Sequence, residues 1–153
     1  MARLERMPEW ERDYLTKLPC PSFDTDPWAE GPPLAERRIA IVSTAGLQRR
    51  DDPPFMVGAA DYRAIPGDVE AGDLVMSHIS VNFDRSGFQQ DLNVVFPIDR
   101  LKELATDGTI GSVADFHYAF MGATDPREME PQARRLAGLL KGDAVTGVLM
   151  VPV

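Results

Sequence analysis

The segment SHISVNFDRSGFQQDLNVVFPIDR holds the densest group of side chains able to do chemistry: Ser77, His78, Asn82, Asp84, Arg85, Asp91, Asn93, Asp99 and Arg100. His78 can exchange a proton near neutral pH, and Asp84 can orient it if the loop folds back. Asp91 and Asn93 serve equally well as turn formers that bond their own backbone. Asp99 reads as a helix-start residue rather than a catalyst. The second candidate is Ser43-Thr44-Ala45-Gly46. It offers backbone N–H groups and two hydroxyls to an anion, and Gly46 permits a positive φ or a close backbone approach. An ordinary strand-to-loop turn is the alternative, since neither GxGxxG nor GxxxxGK[ST] is present. The expected site is therefore His78 and Asp84 as catalytic pair, with Ser43, Thr44, Ala45 and Gly46 binding a small anion and no metal.

Other reactive residues form no complete motif. His117 lies beside Tyr118 on an apolar stretch, where a hydrogen-bonded core histidine is the main alternative to a ligand. Cys20 sits between Pro19 and Pro21 with no partner cysteine, and is read as incidental. A Ser43–His78 hydrolase lacks any GxSxG elbow. A metal-dependent hydrolase using His78, His117 and nearby aspartates is a further alternative.

The elements that must position these groups read as follows. Residues 1–36 form a short amphipathic helix and a proline-rich extended arm, with Trp10, Phe23 and Trp28 expected to pin the arm to its own domain or to a partner. Residues 37–153 form an α/β domain. Ile39 to Val42 is a continuous apolar run, as in a strand covered on both faces. Asp73 to Ser80 is a second predicted strand, with Leu74, Met76 and His78 on one face. Asp51 to Gly72 reads as mostly irregular. A helix is predicted over FPIDRLKELATDG, with Ile98, Leu101, Leu104 and Ala105 inward and Gly108 as its stop. Phe116 to Met121 is a short apolar segment. Because Pro131 is uncomfortable in mid-helix, a turn over 125–130 should precede the last helix. GVLMVPV is a final buried strand whose open face invites self-association into a homo-oligomer. The alternation predicts a mainly parallel sheet with flanking helices in a Rossmann-like layer architecture, with ligands at the carboxyl ends of its strands.

The chain has 153 residues and a formal charge of -8, with 24 acidic against 16 basic residues. That balance argues against nucleic acid or an anionic membrane as main partner. No apolar run approaches a membrane span and the N-terminus lacks a signal core, so a cytoplasmic location is expected.

Read together, VSTAGL, DPPF, DYRAIP, SHISVNFD, DLNVVFPIDRLKELATDGTIG, FHYAFMG and GVLMVPV resemble the selenoprotein B family of glycine, sarcosine, betaine and D-proline reductases. The resemblance covers Leu34 onward. It implies a subunit for reductive C–N cleavage beside a carboxylate, acting on a small substrate such as an amino acid or betaine. It also implies a pyruvoyl-bearing partner subunit and a thiol reductant. No cofactor is expected within the chain, because the resemblance places the selenocysteine or cysteine pair just beyond Val153. Residues 1–153 would then be C-terminally incomplete and inactive alone. Gln48 stands where the family often has histidine. The alternative is a catalytically silent small-molecule or partner-binding domain.

Overall fold

A computed structural model describes residues 4–18, 20–80 and 83–153; the candidate Asn82 lies outside them. In chain order the helices and strands are α1 (Glu9–Lys17), β1 (Arg38–Ser43), β2 (Leu47–Arg49), β3 (Tyr62–Pro66), β4 (Leu74–Met76), α2 (Ser86–Gln90), α3 (Ile98–Thr106), β5 (Ser112–Val113), β6 (Phe116–Phe120), α4 (Pro126–Gly142) and β7 (Gly147–Val151).

The apolar run of β1 is the centre of the main sheet. It pairs in parallel with β7 along one edge and with β5 and β6 along the other. Its side chains alternate between two cores, as a strand with both faces covered requires. Ile39 and Ile41 pack with Ile65, Phe96, Ile98 and Leu101 on the α3 side. Val42 packs with Tyr118, Phe120 and Leu136 on the α4 side. The flanking-helix expectation therefore holds.

The main sheet is mixed, with three parallel pairings and one antiparallel among the described residues, so the mainly parallel, Rossmann-like expectation is met only as far as a mixed α/β architecture. β3 lies antiparallel to β6, from Tyr62↔Phe120 to Pro66↔Phe116, in a stretch read as irregular. β2 and β4 form a separate antiparallel pair, Leu47↔Met76 to Arg49↔Leu74. The strand expected over 73–80 thus stops at Met76 and belongs to a small hairpin-like sheet. Both corrections arise from pairings between distant segments, to which strand propensity is blind.

Two further differences have local causes. The last helix runs unbroken from Pro126 to Gly142 and contains Pro131. Asp125 caps it by accepting from the Arg127 N–H at 2.9 Å, and Pro126 occupies the first turn, where no N–H is needed. Pro131 comes one turn later, so the helix gives up a single backbone bond near its exposed start. β7, expected to be buried, is an edge strand: Val148, Leu149 and Met150 are exposed. The open apolar face foreseen at this strand is present. The α3 expectations hold in part: Ile98 and Leu101 are buried, Ala105 is partly buried against the core and Gly108 follows the helix at φ 79°, but Leu104, expected inward, is exposed.

His117 repairs a fault in the sheet. Between Ile39↔Val113 and Val42↔Tyr118, β1 advances three residues while its neighbour advances five. The surplus is a bulge that takes the backbone carbonyl away from the Ile41 N–H. The Nδ1 of His117 accepts that N–H at 2.9 Å instead. The ring is fully buried and meets Phe96 edge-on at 5.6 Å. Accepting at Nδ1 leaves the proton on Nε2, next to Gly67, whose missing Cβ would lie 3.5 Å away. The core reading of His117 is the correct one.

Burial pulls the His117 pKa down to about 4, so the folded protein holds this imidazole neutral. The unfolded chain takes up a proton near 6.5 that the native state refuses, so stability is lost as pH falls from about 6.5 to about 4. The expected loss from this group is about 3 kcal/mol, levelling below pH 4. Urea unfolding of wild type and His117→Asn between pH 7 and 4 checks it: the variant is less stable at pH 7 and loses that part of the slope. An unchanged slope would refute the assignment.

Candidate active site

β1 ends at Ser43, and the next three residues are held by hydrogen bonds to four other segments. The Thr44 N–H donates to the Val151 carbonyl at 3.1 Å, and the Gly46 N–H to the Phe120 carbonyl at 2.8 Å. The Ala45 N–H donates to Ser43 Oγ at 3.2 Å, and Ser43 Oγ in turn donates to the Val95 carbonyl at 2.8 Å. The Gly46 carbonyl accepts from the Ser77 N–H at 3.0 Å, and the Thr44 carbonyl from the Gly122 N–H at 2.9 Å. The N–H groups of Thr44, Ala45 and Gly46 are thus engaged inside the protein. The expectation that they bind an anion directly is corrected: the backbone spends them on joining strand ends.

This joining brings the candidate segments together. Thr44 Oγ1 accepts the Val153 N–H at 2.8 Å and donates to the Val153 carbonyl at 3.3 Å. Gly46 has φ 64°, and a Cβ there would lie 2.9 Å from the His78 N, so both reasons for glycine anticipated from sequence apply. A Cβ on Gly122 would meet the Val153 and Thr44 carbonyl oxygens at 2.8 and 2.9 Å. The result is a cavity of about 260 Å³ lined by His78, Ser80, Phe83, Gly122, Ala123 and Val153. A larger, apolar groove lies elsewhere, against Ile39, Leu101 and Leu149. The smaller cavity is the better candidate site because a buried titratable side chain, His78, lines it.

His78 is 5% exposed. Its Nδ1 accepts the Ser80 N–H at 3.2 Å, which places the proton of the neutral ring on Nε2. That Nε2 is buried and has no hydrogen-bond partner among the described residues. The ring packs at 5.0 Å on Phe83, tilted by 48°. Arg85 donates to the carbonyls of His78 and Ser80, clamping the turn that carries the ring. Burial first, and the Arg85 charge second, lower the His78 pKa. The imidazole is therefore a neutral N–H donor at pH 7.

Asp84 does not orient it. The Asp84 carboxylate accepts the Ser86 N–H at 2.9 Å, is fully solvated, and starts α2. That bond also lowers its pKa. Asp84 thus belongs with Asp91, which accepts from the Asn93 N–H and side chain at 2.9 Å, and with Asp99 in the first turn of α3. Among the described residues no three His, Cys, Asp or Glu side chains are arranged to hold a metal, and His117 is locked in the core. The metal-hydrolase alternative has no site there.

Sequence reasoning missed Phe83, Gly122 and Ala123 as lining residues, and it missed the support behind His78. Ser77 Oγ donates to the buried Gln48 Oε1 at 2.8 Å and accepts the Phe55 N–H at 3.0 Å. Gln48 Nε2 reaches the Asp52 carbonyl at 3.4 Å. The polar chain ties β2, β4 and the loop before β3 together one residue from His78. The resemblance flagged position 48, but only the hairpin pairing shows why a hydrogen-bonding side chain belongs there.

Two outcomes follow from this geometry. The His78 imidazole should titrate below 6.5 by NMR, and Arg85→Gln should move it upward while burial keeps it below the free value; an ordinary titration in wild type would overturn the buried, clamped ring. Gly46→Ala should cost more than roughly 1–2 kcal/mol in denaturant unfolding, because the left-handed backbone penalty adds to the contact with His78. A neutral substitution would mean that the turn is not built as described.

The family model described as glycine/sarcosine/betaine reductase selenoprotein B matches residues 4–153. The chain is 32% identical over 120 residues to the D-proline reductase subunit gamma of Acetoanaerobium sticklandii, covering 76% of this chain and 49% of that protein. It is 31% identical over 146 residues to the betaine reductase complex component B subunit beta of Peptoclostridium acidaminophilum, covering 90% of this chain and 33% of that protein. It is 29% identical over 147 residues to the glycine reductase complex component B subunit gamma of Symbiobacterium thermophilum, again covering 90% and 33%. The chain therefore spans between a third and a half of the length of these relatives. No solved structure matches it significantly. No helix among the described residues is long and apolar enough to cross a membrane. The ordered motifs, the cavity they enclose and the match over almost the whole sequence converge: this chain belongs to the glycine/sarcosine/betaine reductase selenoprotein B family.

Proposed function

We propose that the chain supplies the substrate-binding and proton-delivering part of a multi-component reductase that cleaves a C–N bond beside a carboxylate. The relatives named as subunits of D-proline, betaine and glycine reductases support this reading. The observation that carries it is the cavity lined by Thr44-tethered Val153 and by His78, a residue whose Nε2 is buried with no partner among the described residues. A buried polar N–H without an internal acceptor is costly, and a bound polar group offsets that cost.

About 260 Å³ suits a small amino acid or betaine rather than a nucleotide-sized ligand. A thiol or selenol pair delivered next to Val153, from outside these residues, would supply the two electrons that break the C–N bond. His78 would first take up a proton from solvent at Nδ1, releasing the Ser80 N–H, then pass its Nε2 proton to the departing nitrogen and return to the neutral ring. Arg85 would keep the resting ring neutral and in place, and Phe83 would exclude water from it. The small surfaces of Gly122 and Ala123 leave room for the substrate. Ser43 to Gly46 act by holding the strand ends around this space, in place of the direct anion contact expected from their sequence. The pyruvoyl-bearing subunit and thiol reductant remain part of the proposal, with a cytoplasmic setting to match.

The test is amine release from glycine, sarcosine, betaine and D-proline by the protein assembled with its complex partners and a dithiol reductant. At least one substrate should turn over, and His78→Gln should lower kcat about 10²–10⁴-fold, as for loss of a proton donor. Full activity in His78→Gln, or no turnover of any of the four, would overturn the reading.

A further inference from the structure

The N-terminal helix and the apolar groove are two surfaces that the proposed activity leaves unused, and each has what the other lacks. α1 buries no residue on its own chain. Trp10 and Tyr14 lie four residues apart on one helix face and both are exposed, Trp10 at 71%, as is Leu18 just past the helix end. A nine-residue helix is marginal in water without a packing partner. The extended arm that follows is equally bare: Trp28 is 88% exposed and Phe23 57%. The expectation that these aromatics pin the arm to its own domain is thus not met.

The groove lies at the opposite end of β1 from the His78 cavity. It measures about 770 Å³ and is walled by Pro33, Leu34, Ile39, Leu101, Leu104 and Leu149. That is within the roughly 300–1,000 Å³ that holds a drug-sized body, so two large side chains can enter together. Its one charged lining residue is Arg37, whose Nε donates to the Pro32 carbonyl at 2.8 Å. The guanidinium lies against Gly31 and Gly147, where a Cβ would come within 3.1 and 3.4 Å of the Arg37 side chain. The groove is therefore apolar with a cationic rim. α1 is apolar on one face and acidic at its start, with Glu9, Glu11 and Asp13 beside Trp10 and Tyr14.

We propose that α1 of one copy docks in this groove of a second copy, and reciprocally, to give a two-fold dimer held by exchanged arms. Trp10 and Tyr14 enter between Leu101, Leu104 and Leu149, and the acidic first turns face Arg37. The area suffices. Two aromatic side chains bury roughly 300–500 Å² per copy. The groove walls lose a similar area, and two symmetric contacts reach the roughly 1,200–2,000 Å² of a stable interface. The exchange also covers part of the exposed β7 face, which otherwise leaves an apolar edge open.

Light scattering coupled to size exclusion, on the 153-residue chain, tests this. Wild type should be a dimer at micromolar concentration. Trp10→Ser/Tyr14→Ser should be a monomer, and so should Leu104→Glu, which blocks the groove at a half-exposed α3 position; circular dichroism checks that both remain folded. Mixed together at about tenfold higher concentration, the two variants should form a heterodimer weaker than wild type, because one of the two arm-to-groove contacts is intact. A monomeric wild type would overturn the proposal and assign these surfaces to another subunit or to the same chain. A wild-type dimer that both variants preserve, or variants that fail to pair on mixing, would overturn it as well. A variant that unfolds is replaced by the single Trp10→Ser or by Arg37→Glu, each expected to weaken the dimer at least tenfold; no weakening by either counts against it.

Discussion

The site depends on a pair of hydrogen bonds between Thr44 and Val153, residues at opposite ends of the α/β domain. One hydroxyl both accepts the Val153 N–H and donates to its carbonyl. With the Thr44 N–H bonded to Val151, the end of β7 is fastened to the end of β1 beyond the last ladder pair. The Gly122 N–H on the Thr44 carbonyl and the Gly46 N–H on Phe120 fasten β6 at the same point. Three parallel strands therefore end together, and their carboxyl ends enclose one space. The polar groups that make this possible are short-range and saturated, so the loop is rigid because none of its donors is left over.

The two histidines show how context assigns opposite work to one side chain. Each accepts a backbone N–H at Nδ1, and each therefore carries its proton on Nε2. Each Nε2 is buried without a partner among the described residues. His117 is sealed in the core and mends a bulge, so its imidazole is structural. His78 lines a cavity, is held by Arg85 from behind and shares its face with Phe83. Buried polarity alone does not distinguish a catalyst from a splint; access to a ligand-sized space does.

The polar character of one end of β1 and the apolar character of the other divide the labour of the domain. At the carboxyl end, the bonds of Ser43 to Gly46 hold strand ends together beside a small cavity lined by His78, Ser80 and Val153. At the amino end, Ile39, Leu101 and Leu149 leave a wide apolar groove with only Arg37 at its rim. Small-molecule chemistry fits the first and protein association the second. Because both ends share a strand buried on both faces, either function inherits the rigidity of the same core.

Much of this was written locally. The apolar run at Ile39 to Val42, the buried Ile98 and Leu101 of α3, the stop at Gly108, the turn chemistry of Asp91 and Asn93, and the special conformation of Gly46 each follow from a few adjacent residues. Sterics and side-chain bonds to the nearby backbone act within those few residues, so sequence alone determined them. It also marked His78 and the order of family motifs. The antiparallel β3, the β2–β4 pair, the bulge that employs His117, the engagement of the Thr44–Gly46 donors, the use of Asp84 as a helix start and the exposure of β7 were decided only in the tertiary structure. Each depends on which distant segment comes to lie alongside, and that choice is made by burial and backbone pairing summed over the whole chain.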